Sequence, residues 1–347
     1  MLAITVLPGQ SGSISVDEVP EPDPAYGSIL VEGVALGICG TDAEIAAGEY
    51  GTAPAGSERL VLGHESLGRV LEAPSDSGFE TGDLVVGIVR RPDPVPCACC
   101  AVGQWDMCRN GGYTERGIKD LHGYGAQRWR IEPEFAVRID PGLGVTGVLM
   151  EPTTIVAKAW EHIELIASRA CTKVESVVVT GAGPIGLLAA LLGRQRGLDV
   201  HLLDRVQDGP KPRLAQALGA TYHWQSLADI DPPDVIIEAT GAPALVLEAI
   251  EHNRPGGIVC LTGVSPTGRE LPVDAGELGR RMVLENDVVF GSVNANRHHY
   301  EQAAEALAKA DGDWLQAMIT RRVPLRDAAS ALERRADDIK VVVDLSE

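Results

Sequence analysis

Apolar runs such as SILVEGVALG, LVLGHESLGRVLEA and DLVVGIVRR punctuate the first 150 residues, with Gly, Pro and Asp between them. Short apolar runs bounded by turn residues predict a β-rich domain of short strands with few helix-length segments. The pattern changes near Glu151-Pro152. TTIVAKAWEHIELIASRA has helical spacing. SVVVTGAGPIGLLAALLGRQRGLDVHLLD then reads as a strand, a glycine turn, an amphipathic helix and a second strand. KPRLAQALGA and PALVLEAIEHN predict helices, and PDVIIEATG, GIVCLTGV and DVVFGSV predict strands. Strands alternating with helices form βαβ units around a parallel sheet. The tail, from YEQAAEALAKA to IKVVVDLSE, predicts a helical stretch closed by an apolar strand. The expectation is an α/β chain in two domains. A β-rich domain takes 1–152 and 299–347, and a doubly wound parallel-sheet domain takes 153–298. No linker-like composition separates them, so a shared interface is expected. Internal repeats and low-complexity segments are absent from the sequence.

Length agrees with that division, because 347 residues exceed one ordinary domain and suit two. Domains of this size bury enough surface to stand without disulfides. The 39 glycines and 22 prolines, beside 45% hydrophobic residues, describe a loop-rich globular enzyme. The opening MLAITVLPGQ lacks the basic region and long apolar core of a signal peptide, and no apolar run reaches eighteen residues. A cytoplasmic protein is expected. The net charge of −19, with RRPDP and ERRADD balanced by nearby acids, argues against a nucleic-acid partner and leaves a small-molecule substrate.

The turn GAGPIG fits G-x-G-x-x-G at Gly181, Gly183 and Gly186, with Pro184 and Ile185 between the last two. It follows the strand SVVVT and opens the helix LLAALLG, the context in which the pattern binds a dinucleotide rather than merely turning the chain. Gly181 permits the tight turn, Gly183 lets the backbone approach a pyrophosphate, and Gly186 allows helix and strand to pack closely. Free N–H groups at the helix start would face the phosphates. Asp204 ends the second strand and would accept hydrogen bonds from ribose hydroxyls, favouring NAD over NADP; Arg205 would stack on adenine or reach a phosphate. A hydride carrier implies an oxidoreductase.

Two sets of residues carry metal chemistry. Cys39 in GICGTD, His64 and Glu65 in LGHES, and Glu151 in MEP offer a thiolate, an imidazole and carboxylates, the donors of a catalytic zinc. Their separation in sequence leaves the set unproven. Taken singly, a buried thiol, a hydrogen-bonded histidine and a solvated acid at a helix start explain them. PCACCAVGQWDMC crowds Cys97, Cys99, Cys100 and Cys108 into thirteen residues of a chain with seven cysteines. In a reducing compartment a metal is the leading explanation, with a vicinal disulfide or redox pair as the alternative.

CGTD, then GHE followed by Gly68, a cysteine cluster and GxGxxG occur in the order of the zinc-dependent medium-chain dehydrogenase/reductase family, which the chain resembles over most of its length. CGTDAEI with Glu44, VRRP at Val89 to Pro92, GYTERGIKDLHGY with Glu115 and His122, EPTTIVAKA, and GSVNA with Asn294 resemble its glucose 1-dehydrogenase (aldose dehydrogenase) branch. The resemblance implies a GroES-like β-barrel catalytic domain beside a Rossmann domain, with the active site between them and a homodimer or homotetramer as the assembly. It implies that Cys39 and His64 ligate zinc and that Glu65 and Glu151 are direct, water-bridged or exchanging ligands. Thr41 would bond the reacting hydroxyl and start a proton relay, with Glu151 as a further base, and Glu115 and Asn294 would bind sugar hydroxyls. The family's structural zinc takes four cysteines in the pattern C-x2-C-x2-C-x7-C. Cys97, Cys100 and Cys108 match its last three positions, but the first falls on Pro94. Cys99, Asp93 or Glu115 would have to complete the set.

The activity implied is zinc-dependent NAD(P) oxidation of a sugar hydroxyl, foremost glucose to its lactone. Alternatives are a dehydrogenase for another polyol, a cyclitol or an aminosugar intermediate, a zinc-free quinone or enoyl reductase on the same scaffold, and a cofactor-sensing binding protein. Outside these sets, His298-His299 is expected as a solvated pair at a helix start, and Trp105, Trp129 and Trp160 as packing residues. Cys171 and Cys260 are expected as core thiols. His122 is either a group orienting a carboxylate or a structural histidine.

Overall fold

The computed structural model describes residues 1–265, 268 and 270–346, in two compact units. One unit comprises Met1–Thr154 with Asn294–Glu347, and the other comprises Ile155–Val293.

The first unit is organised by the strand Ile29–Ile38, ILVEGVALGI, whose apolar positions alternate between buried and less buried faces along most of its length. It pairs antiparallel with Glu65–Glu72 on one side and Lys340–Asp344 on the other, and also with Arg128–Ile131. The tail strand KVVVD is therefore interior, lying between Ile29–Ile38 and Ile319–Pro324 in a seven-stranded sheet. Val31, Leu36, Leu67, Val70, Val85 and Val343 are fully buried, each contributing roughly 1.5–3 kcal/mol of apolar burial. Register matters here. Gly37 stands opposite Glu65, and Ile38 stands opposite Val341, so the end of one strand collects Cys39, Glu65 and Lys340.

In the second unit the described strands form a six-stranded parallel sheet. Its order is Thr221–His223, Asp199–Leu203, Ser176–Thr180, Val235–Glu238, Ile258–Leu261 and Val288–Gly291. Numbered by sequence this is 3-2-1-4-5-6, the doubly wound order. The central strands SVVVT and VIIE are Val- and Ile-rich because both faces are covered. Val178, Leu203, Ile236, Ala249 and Val259 pack into one buried cluster.

The glycine turn joins Ser176–Thr180 to the helix Pro184–Gln195. Pro184 opens the helix, where its missing N–H is not needed. Gly181 has φ +91°, and a Cβ on Gly186 would stand 1.7 Å from the Gly181 carbonyl oxygen. Gly186→Ala is expected to cost about 2 kcal/mol through overpacking and to lower Tm by about 4–8 °C in a calorimetric scan. Gly183 has nothing within 4 Å of its Cβ position, so Gly183→Ala is expected to leave Tm unchanged. Equal losses in the two variants would show that the turn is not limited by helix–strand contact.

The helix expected over TTIVAKAWEHIELIASRA spans Met150–Ala167 and carries Glu151 in its first turn. Trp160 and Trp129 are buried, and Trp105 packs edge-on against Phe135, as packing residues. Two expectations fail. Cys171 is exposed rather than a core thiol, because it lies in the loop after Met150–Ala167; Cys260, on a central strand, is buried. His299 is buried rather than solvated: it lies in the first turn of Arg297–Ala308, and its Nδ1 accepts the Asn296 N–H at 3.1 Å. His298 is exposed. Among the described residues no helix is long and apolar enough to cross a membrane.

Candidate active site and metal centres

Cys39 follows the strand Ile29–Ile38 and precedes the helix Gly40–Ala46. Its backbone N–H donates to Asp42 Oδ2 at 2.9 Å, which fixes the turn that presents the thiol. Cys39 Sγ lies 3.1 Å from His64 Nε2. On the far side of the ring, His64 Nδ1 lies 3.4 Å from Asp42 Oδ1, and neither atom has a well-aligned hydrogen bond. Cys39, His64 and Glu65 bring their ligand atoms within 4.8 Å of one another. A thiol, an imidazole and a carboxylate at that separation, with a second carboxylate behind the imidazole, are the donor set and backing that a zinc ion requires.

Burial pushes the Cys39 thiol up. Burial also opposes a charged His64, but Cys39 and Asp42 hold the imidazole well above its ordinary value. Glu65 is gripped by the buried ammonium of Lys340, at 2.7 and 2.5 Å to its two oxygens, and Lys340 also donates to the Ile38 carbonyl at 3.2 Å. Gly37 makes room for this pair, since a Cβ there would stand 2.1 Å from Glu65 Oε2. Glu151 lies outside the close set. It keeps partial exposure at its helix start, yet desolvation, reinforced by Glu65, raises its carboxyl to about 7. Thr41 is half-buried in the first turn after Cys39.

Glu115 is buried and receives Arg90 Nε at 3.0 Å and Arg90 Nη2 at 2.9 Å. Asn294 Nδ2 donates to the same Glu115 oxygen at 2.7 Å. Asn294 has φ +62°, a left-handed conformation that asparagine tolerates better than most residues. Arg90 also reaches the Asp106 carbonyl at 3.1 Å, and Asn296 donates to Asp106 Oδ1 at 2.9 Å. Glu115 and Asn294 thus sit in one polar network that extends into the cysteine lobe.

In that lobe Cys97, Cys100 and Cys108 bring their sulfurs within 4.8 Å of one another. Hydrogen bonds from backbone N–H groups, foremost that of Arg109, hold the Cys97 thiol down at about 6. Burial pushes Cys100 up to about 11. The three residues proposed to complete the set do not join it. The Cys99 thiol lies outside, its backbone capping the short helix Cys100–Val102. Asp93 accepts the Val95 N–H at 2.8 Å, and Glu115 is held by Arg90.

His122 has a structural place: its Nδ1 accepts the Val61 N–H at 3.2 Å, and its Nε2 lies 3.5 Å from Ser57 Oγ. Burial, then Arg116, keep its pKa below the ordinary value.

The residues expected to hold a dinucleotide follow the strands Ser176–Thr180 and Asp199–Leu203 of the parallel sheet. Gly183 caps the helix Pro184–Gln195 and leaves open space where a side chain would stand, a cradle suited to a pyrophosphate. Pro184 and Ile185 follow in the first turn, and Arg205 is exposed. Asp204 differs from expectation. Its carboxylate accepts the Ala182 N–H at 2.7 Å, the Val206 N–H at 3.1 Å and Lys211 Nζ at 3.0 Å, so it braces its own loop. Sequence reading passed over Asp42, Arg90, Lys211 and Lys340. Only Asp42 left a signal, an acid three residues after Cys39 at a capping-box position.

The model of the alcohol dehydrogenase GroES-like domain matches residues 25–141, and that of the glucose dehydrogenase C-terminus matches residues 144–345. The chain is 40% identical to glucose 1-dehydrogenase of Methanocella arvoryzae, over 99% of each protein. It is 39% identical to glucose 1-dehydrogenase of Thermoproteus tenax, again over 99% of each. Among solved structures, Haloferax mediterranei glucose dehydrogenase in complex with NADP, Zn and gluconolactone matches with a TM-score of 0.92 and 34% identity, covering 100% of both chains.

Proposed function

Since the chain belongs to the zinc-dependent medium-chain dehydrogenase/reductase family, in its glucose dehydrogenase branch, we propose that it oxidises the C1 hydroxyl of β-D-glucose or a related aldose. The balanced reaction is aldose plus NAD(P)⁺ to lactone plus NAD(P)H and a proton. The observation that carries this reading is the convergence of Cys39, His64 and Glu65 within 4.8 Å. A quinone or enoyl reductase has no use for that donor set.

A zinc ion held by Cys39 and His64 would supply a Lewis acid that lowers the pKa of the sugar hydroxyl, and the dinucleotide would supply the hydride acceptor. The chain's own residues do the rest. Asp42 orients the His64 ring, and Lys340 fixes Glu65 as a direct or water-bridged ligand. Thr41 takes the hydroxyl proton into a relay, with Glu151 as a further base. Glu115 and Asn294 bind sugar hydroxyls. Because both are polar and partly or fully buried, a substrate lacking those hydroxyls would leave them unpaired.

Cys97, Cys100 and Cys108 are read as three ligands of a structural zinc. The dinucleotide residues are Gly181, Gly183, Pro184, Ile185, Gly186 and Arg205. The expected preference for NAD required a free Asp204 carboxylate. With that carboxylate bound to its own loop, and with NADP in the Haloferax enzyme, NADP is read as a cofactor alongside NAD. Seven cysteines, none of them in a disulfide, suit a cytoplasmic enzyme. The outer edge of Val288–Gly291 and the exposed Val283, Leu284 and Val293 suit assembly into a dimer or tetramer.

The test is zinc content per chain by elemental analysis, combined with NADPH and NADH formation over a panel of aldoses, polyols and cyclitols. Two zincs with aldose-dependent reduction are expected. One zinc with turnover removes the structural metal. Turnover on cyclitols alone moves the substrate, and no zinc with no turnover overturns the reading.

A further inference from the structure

The strand Asp199–Leu203 delivers Asp204 to the edge of the glycine turn. A carboxylate in this position ordinarily meets the adenosine ribose and, by its charge, turns away a 2′-phosphate. Here three donors share its two oxygens. The Ala182 N–H belongs to the glycine turn, the Val206 N–H to the following loop, and the third donor is the ammonium of Lys211. The loop is braced again by Tyr222, whose hydroxyl donates to the Val206 carbonyl at 2.6 Å. Both members of the ion pair are largely buried, with side-chain exposures of 16% for Lys211 and 12% for Asp204. The pair is therefore screened from solvent salt more than a surface pair would be.

Lys211 lies in the first turn of the helix Pro210–Ala217. Two of the first three residues of that helix are proline, so its end offers few N–H groups to an anion. The charge at this corner is set by side chains. Asp204 and Lys211 cancel, and the exposed charged residues around them in sequence are Arg205, Asp208 and Arg213.

We propose that Lys211 is the specificity-determining residue of the dinucleotide site: by pairing with Asp204 it cancels the charge that would exclude a 2′-phosphate, and so admits NADP⁺ beside NAD⁺. The proposal rests on the dehydrogenase reading above. It gives Asp204 a positioning role shared by both cofactors and places the discrimination between them on Lys211.

Calorimetric titration of the full chain with NADP⁺, NAD⁺ and adenosine 2′,5′-bisphosphate, without sugar, tests it. In Lys211→Met the Kd for NADP⁺ and for the bisphosphate is expected to rise about 10-fold or more, as a carboxylate freed near a phosphate requires, while that for NAD⁺ changes less than about 3-fold. Lys211→Arg should restore NADP⁺ binding. Lys211→Met combined with Asp204→Asn, which removes the freed charge, should restore it as well. Asp204→Ala, which cuts the brace on Ala182, should weaken both dinucleotides together. Equal weakening of both by Lys211→Met, or no change in either, overturns the proposal alone. A wild-type chain that binds neither dinucleotide overturns it together with the dehydrogenase reading.

Discussion

Replacing Cys39 by Ser or His64 by Ala is expected to lower kcat/KM for aldose oxidation by about 10³-fold or more and to leave dinucleotide affinity unchanged. Each substitution removes one of the donors that lie within 4.8 Å of one another. A Lewis acid at the reacting oxygen is worth several kcal/mol of transition-state charge, and each 1.36 kcal/mol is a factor of ten. The residues proposed to hold the dinucleotide belong to the Ile155–Val293 unit, whereas Cys39 and His64 belong to the other. Loss of the metal should therefore appear in turnover and in zinc per chain, not in the Kd of NADP⁺. Steady-state rates, elemental analysis and calorimetry on the same preparations check the three quantities. A Cys39→Ser enzyme that keeps near-normal turnover would remove zinc from the mechanism. One that loses NADP⁺ binding and turnover alike would point to a folding defect.

Most of the architecture was legible because it is written in periodicity. SVVVT and VIIE are apolar throughout since their strands are covered on both faces, and the glycine turn announces itself by Gly181 and Gly186, where a side chain has no room. Cys39, His64 and Glu65 were legible as residue types from local pattern, and as one set only through the family resemblance. What joins them is the register of Ile29–Ile38 against Glu65–Glu72, a long-range pairing that local pattern does not encode. Asp204 shows a different shortfall. Its position at the strand end was readable, but its hydrogen bonds to Ala182 and Val206 depend on how a turn closes, and so its partner Lys211 stayed invisible. The cysteine lobe shows a third: spacing singled out Cys97, Cys100 and Cys108, but adjacency in sequence also recommended Cys99, which lies outside the close set. Adjacent residues in a tight turn point in different directions, so neighbours seldom share one metal.

Lys340→Met is expected to give the largest loss of stability, because it strands a charge that the fold has closed over. Lys340 and Glu65 are 1% and 2% exposed, and their hydrogen bonds span 275 residues of sequence. Burial disfavours the Lys340 ammonium, but Glu65 and Cys39 hold its pKa above the ordinary lysine value. In the zinc-free chain, replacing one partner of such a pair costs about 3–5 kcal/mol, most of it the penalty of leaving the other charge without compensation. For a domain of this size that is a fall in Tm of roughly 6–20 °C. Adding Glu65→Gln should recover part of the loss, since an amide carries no charge to strand. Lys340→Arg should lose less, because it keeps the charge but misfits the space left by Gly37. A thermal scan and urea unfolding of the three variants separate these cases. A Lys340→Met chain as stable as the wild type would mean that Glu65 is held by something other than Lys340, and that the tail strand contributes packing alone.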